Sequence, residues 1–109
     1  MLDKTKARAI ARDFSDEVRK LLSPSKIILF GSHINGTPHE WSDIDVAVLV
    51  NDYKGDWIDM KTKLFSLKWD NKFIDIEPHL LDETHDPSGF VEHIVKTGEI
   101  IFNLTGDNK

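Results

Sequence analysis

Two pairs of carboxylates and one glycine-serine step carry the chemical potential of this chain. Asp43 and Asp45 stand two residues apart at the entrance to the apolar run Val46-Ala47-Val48-Leu49-Val50. Strand residues at that spacing point to one side of a sheet, so the two carboxylates are expected to project together. Adjacent carboxylates repel unless a cation lies between them, and an all-oxygen pair suits Mg²⁺ with its phosphate ligands. Upstream, Gly31-Ser32 leaves the apolar run Ile27-Ile28-Leu29-Phe30, with ten residues between Ser32 and Asp43. A glycine there lets backbone approach a ligand closely, and the N–H groups and hydroxyl of a following turn form a phosphate cradle.

Asp75 and Glu77 repeat the two-residue spacing in Phe73-Ile74-Asp75-Ile76-Glu77-Pro78. On a strand beside the one that begins at Asp43, they would converge with the first pair. Convergent carboxylates beside a phosphate cradle are the layout of two-metal phosphoryl or nucleotidyl transfer. Each part alone has a plainer reading: a solvated strand end for the acids, an ordinary turn for Gly31-Ser32. The argument for chemistry rests on the combination.

These residues need elements to hold them. Ala7, Ile10, Ala11, Phe14, Val18, Leu21 and Leu22 recur at helical steps and predict a helix over residues 3–22, stopped by Ser23-Pro24-Ser25. Residues 26–30 and 43–50 read as strands, the second apolar enough to be covered on both faces. Residues 56–69 predict a second helix and residues 73–81 a third strand, which Pro78 places at an edge or a strand end. Asp86-Pro87-Ser88 signals the start of a third helix, with Pro87 in its first turn and Gly98 at its end; residues 99–104 form a last short strand. The expected architecture is α+β (α/β), a single domain over residues 1–104 with a polar tail over 105–109.

Composition narrows the partners. The chain has 109 residues, 19 acidic against 14 basic, and a net charge of −5, which disfavours nucleic acid as a partner. The basic residues of the first helix alternate with Asp and Glu and read as a solvated face. There is no cysteine, which excludes disulfides and thiolate zinc sites. No apolar run has membrane-spanning length and no apolar leader opens the chain, which fits a cytoplasmic protein. His33 and His79 are candidates for a nucleotide contact or a general base, against the commoner reading of exposed or structurally bonded histidines. Trp41 is a candidate for stacking on a base, against a core or interface role.

The span Gly31-Ser32, ten residues, Asp43-Ile44-Asp45 resembles the signature of the nucleotidyltransferase superfamily that includes DNA polymerase beta and kanamycin nucleotidyltransferase. The chain's length is similar to that of the stand-alone minimal nucleotidyltransferases of bacteria and archaea. The resemblance implies a small mixed sheet with helices packed against it. It implies Asp43 and Asp45 as ligands of two Mg²⁺ ions and Gly31-Ser32 as the triphosphate contact. A third carboxylate, Asp75 or Glu77, would complete the catalytic and metal-binding set. The implied reaction moves a nucleoside monophosphate, AMP from ATP, to a hydroxyl. The short chain leaves little room for an acceptor, which implies a partner protein such as the HEPN toxin that small members of this family accompany. The alternative is a non-catalytic antitoxin or regulatory binding module on the same fold. An apolar face is expected to serve that partner or a homodimer. One departure stands out: many members carry Ala-Arg before the glycine that here is Gly36, where this chain has Ile34-Asn35. Lys26 or a basic group from the partner is the expected substitute.

Overall fold

The computed structural model describes residues 4–31, 44–69 and 71–104. Four strands form one sheet in the order β3-β2-β1-β4: β1 Lys26–Phe30, β2 Ile44–Val50, β3 Ile76–Asp82 and β4 Glu99–Asn103. β1 runs antiparallel to both β2 and β4, whereas β2 and β3 are parallel, so the sheet is mixed as expected. The parallel pair requires a crossover, and helix α2, Trp57–Ser66, supplies it.

Residue parity along the strands divides the core into two layers. Ile27, Leu29, Ile44, Val46, Val48, Ile76 and Leu80 face α1 (Lys4–Leu21) and α2. Ile28, Ala47 and Leu49 face the other way, against Val91 and Ile94 of α3, Phe90–Thr97. β2 is therefore covered on both sides, which explains its unbroken apolar run. In α1, Ala7, Ala11, Phe14 and Val18 are fully buried at steps of four, three and four. The two alanines let the helix lie close to the sheet, while Phe14 meets Phe73 edge-on at 5.4 Å between ring centroids.

Local capping explains the element ends. The Asp56 carboxylate accepts the N–H of Asp59 at 2.9 Å and starts α2. Gly98 ends α3, its N–H bonding the Ile94 carbonyl; a Cβ there would lie 2.5 Å from Ile28 Cγ2.

Two expected boundaries are corrected. The third strand begins at Ile76, not at residue 73: a short 3₁₀ turn, Asn71–Phe73, and a bend at 74–75 precede it. Phe73 is needed under α1 beside Phe14, and an extended segment that began there would compete with that packing. Asp75 and Glu77 therefore do not share a strand. α3 begins at Phe90, so Pro87 is not in its first turn. The Asp86 carboxylate instead reaches forward to the N–H groups of Val91 and Glu92 at 3.0 and 3.1 Å.

Candidate active site

The start of β2, the start of β3 and the end of β1 meet at one end of the sheet. In the pairing, Asp45 stands opposite Phe30 on one side and Glu77 on the other. Parity puts Asp45, Glu77 and His79 on the α3-facing side, where they lie clear of the helix. Strands pair at about 4.8 Å, so the two carboxylates on one rung are close neighbours. Among the described residues Glu77 receives no hydrogen bond or ion pair, and Asp45 receives one. That one comes from His79, whose Nε2 lies 3.2 Å from Asp45 Oδ1. A carboxylate can only accept, so the histidine N–H donates.

His79 is itself held. Its ring packs on Phe30 at 5.1 Å between centroids, and Phe30 meets Phe90 of α3 edge-on at 5.9 Å. A chain of contacts therefore runs from the first residue of α3 to the carboxylate of Asp45.

Gly31 closes the other side of Asp45. Its φ is +92°, a conformation that side chains disfavour, and a Cβ built there would lie 2.5 Å from Asp45 Oδ2. The close approach that the sequence suggested at this glycine is thus, first of all, an approach to the carboxylate. Residues 32–43 lie outside the described residues, and with them Ser32, Asp43, His33, His39, Asn35 and Trp41.

Of the two candidates for a third carboxylate, Glu77 lies on β3 in register with Asp45. Asp75 lies one residue before the strand, exposed, with its carbonyl accepting the N–H of Ile44 at 2.8 Å. An ion coordinated by Asp45 and Glu77 would meet only oxygen, the donor set for Mg²⁺. The described residues contain no group of three side chains that would hold a metal by themselves. The fit rests on the paired carboxylates, which among the described residues meet a single donor, His79 on Asp45.

Lys26 does not substitute for the arginine that the family pattern places before Gly36. It stands at the opposite end of β1 from Gly31, opposite Leu49, and its Nζ pairs with Glu83 at 3.0 Å. Glu83 also accepts from Ser25 Oγ at 2.7 Å. Four residues of strand, roughly 13 Å, separate Lys26 from the acidic end.

Sequence reasoning weighed His79 as a nucleotide contact or general base against the commoner bonded or exposed histidine, and did not link it to Asp45. The signal that marks it is parity: 77 and 79 share a face, so a histidine two residues beyond a site carboxylate on a strand stands on the same side of the sheet, two positions along from the rung. Phe30 gave no chemical signal at all; its role as the platform beneath His79 emerges only from the antiparallel register of β1 on β2.

Comparison with known proteins identifies the family and the fold. The family model described as Polymerase beta, Nucleotidyltransferase matches residues 14–105, and the chain belongs to that nucleotidyltransferase family. Several solved structures share the fold. One is a presumed nucleotidyltransferase of Sulfolobus solfataricus, 18% identical, with a TM-score of 0.67 over 97% of this chain and 88% of that one. Another is a toxin–antitoxin complex with AMP-PNP, 26% identical, TM-score 0.58, over 89% of this chain and 77% of that one. A third is the complex of a tri-AMPylated HEPN toxin of Shewanella oneidensis with its MNT antitoxin, 21% identical, TM-score 0.56, over 90% and 74%. No curated protein sequence matches the chain significantly. Among the described residues no helix is long and apolar enough to cross a membrane.

Proposed function

We propose that this chain is a Mg²⁺-dependent nucleotidyltransferase that moves AMP from ATP to a hydroxyl on a partner protein, the partner being a toxin of the HEPN type. The observation that carries the reading is the rung Asp45–Glu77. Two carboxylates stand side by side at the mouth of the site with, among the described residues, a single donor, His79 on Asp45, beside a glycine whose missing side chain leaves Asp45 its space. A protein that only needed to fold gains nothing from that repulsion. The solved antitoxins with similar folds, one seen with AMP-PNP and one with an AMPylated toxin, support the choice of nucleotide and acceptor.

Asp43 and Asp45, with Asp75 or Glu77, would hold the metal, and Gly31-Ser32 would contact the triphosphate. Bound there, Mg²⁺ supplies positive charge for the phosphate oxygens and for the attacking oxygen. In the transfer, the acceptor hydroxyl oxygen forms a bond to the α-phosphorus. The bond from that phosphorus to the oxygen bridging to the β-phosphorus breaks, and pyrophosphate leaves with its electron pair. The hydroxyl proton passes to the third carboxylate. Glu77, without a donor of its own among the described residues, is free to take it. His79 fixes the orientation of Asp45 and takes no part in the bond changes.

A non-catalytic antitoxin on the same fold is the second reading. It is favoured by Ile34-Asn35 in place of Ala-Arg and by the engagement of Lys26 with Glu83, which leave the phosphates without the expected cation from this chain. Nucleotide binding separates the two. ATP with Mg²⁺ should raise the melting temperature through ligand linkage, and ATP with EDTA should raise it less. No response to millimolar ATP with Mg²⁺ would remove the enzymatic reading and leave the binding module.

A further inference from the structure

Helix α2 is amphipathic in an unusual sense: it has a second apolar side. One side buries Met60 and Leu64 against the sheet. The other carries Ile58, Thr62, Phe65 and, on the 3₁₀ turn that prolongs the helix, Trp69, at steps of four, three and four. Ile58 is 76% exposed and Trp69 88%. These residues line an open groove of about 470 Å³ together with Lys61 and Ser66. A row of large apolar side chains in water at helical spacing marks a surface that another helix covers.

The charges beside the stripe choose its occupant. Lys61 and Lys68, seven residues apart, flank one side, and among the described residues neither pairs with a carboxylate; Lys68 only approaches the Phe65 ring, at 5.9 Å. On the other flank Asp59 and Lys63 satisfy each other at 3.1 Å. In a chain of net charge −5 the uncompensated charge along this groove is, among the described residues, positive. The groove also leads somewhere: a second hollow shares Lys61 and Phe65 with it and runs over Glu77, Pro78 and His79. β3 is an edge of the sheet, yet Pro78 has no N–H to offer an added strand, which favours a helix over a strand as the occupant.

We propose that the Ile58–Thr62–Phe65–Trp69 stripe docks an amphipathic helix of a partner protein that carries Asp or Glu on the flank beside Lys61 and Lys68. Such a helix lies against α2 with its apolar anchors in the groove. It holds its protein next to the Asp45–Glu77 rung, where an acceptor side chain would be needed. Only this last step rests on the transfer reading; the docking does not.

The test uses the full chain without nucleotide or metal. The probe is a fluorescein-labelled amphipathic peptide with leucine at the a and d positions of its heptads and glutamate along its flanks. Its control has lysine in place of glutamate, and binding is read by anisotropy. The glutamate peptide is expected to bind at least about tenfold tighter than the lysine peptide. Ile58→Asp should weaken it at least about tenfold, and the double variant Lys61→Glu, Lys68→Glu should reverse the preference. Ile58 is exposed, so circular dichroism should show its variant folded with an unchanged melting temperature. Equal binding of the two peptides, no binding of either, or binding unmoved by Ile58→Asp would overturn the proposal. Sedimentation of the free chain is the companion measurement. A dimer that Ile58→Asp converts to a monomer would assign the stripe to a second copy and overturn the proposal in that direction. Peptide binding without any transfer activity would leave the docking intact and remove the transfer reading alone.

Discussion

At the end of β3, the Asp82 carboxylate accepts the N–H groups of Asp52, Tyr53 and Thr84 at 3.1, 3.1 and 2.8 Å and the Thr84 hydroxyl at 2.6 Å. At the start of β2, Asp45 meets one histidine, and Glu77 beside it meets no donor among the described residues. The parallel pair β2–β3 thus has acids at both ends under opposite conditions. At the Asp82 end the acid holds a turn together, including Asp52 in the left-handed region at φ 54°. The hydroxyl and N–H groups, the Thr84 hydroxyl foremost, hold its pKa down at about 2 against 3.8 for an ordinary aspartate. At the Asp45 end the two carboxylates have, among the described residues, His79 as their one donor. On the proposed reading, the donors gather where the turn needs rigidity and are few where a bound cation would supply the charge.

The difference predicts which substitutions break function and which break folding. The largest effect is expected for Asp45→Asn. AMP transfer should fall about 10³-fold while the melting temperature holds or rises, because one of two repelling charges is gone. Gly31→Ala comes next. Its methyl group would press on Asp45 Oδ2 in a backbone conformation that alanine disfavours, so urea denaturation should show a loss of about 1–2 kcal/mol together with reduced transfer. His79→Leu should lower transfer about tenfold by releasing Asp45, whereas His79→Gln, which keeps an N–H donor at similar reach, should recover most of it. The smallest effect belongs to the structural end and is read from its dependence on pH. Asp82 has a lower pKa folded than unfolded, so its contribution is present above about pH 4 and is lost as pH falls toward 2. Melting temperature against pH should therefore decline less steeply over that window in Asp82→Asn than in the parent chain, from a lower plateau near neutrality.

Legibility followed the same division. The buried stripe of α1 and the two-sided burial of β2 are direct consequences of periodicity, and the sequence showed them; Pro78 pointed to an edge or a strand end for β3, and the pairing of β3 with β2 entered only as the condition for the carboxylates to converge. It did not show where β3 begins. Ile74-Asp75-Ile76-Glu77 alternates as a strand would, but Phe73 before it is claimed by Phe14 across the core, a contact 59 positions away that local pattern cannot register. The start of α3 was misplaced for a similar reason, since Asp86 caps from outside through two forward hydrogen bonds rather than from the adjacent position. In the site, Gly31 and Asp45 were legible through their spacing. The hold of His79 on Asp45 was not, because it depends on the parallel register of two strands and on a phenylalanine from a third. Lys26 was misjudged as a phosphate contact although the strand length between it and Gly31 already sets the two at opposite ends of β1.

The most direct test compares the two ends in one experiment. The chain, Asp45→Asn and Asp82→Asn are each co-produced with the HEPN-type partner and incubated with ATP labelled at the α-phosphate and Mg²⁺, and label on the partner is counted. The account predicts transfer by the parent chain and by Asp82→Asn at a temperature where both are folded, and none above background by Asp45→Asn. Transfer that survives Asp45→Asn, or that Asp82→Asn abolishes in a folded protein, would contradict it.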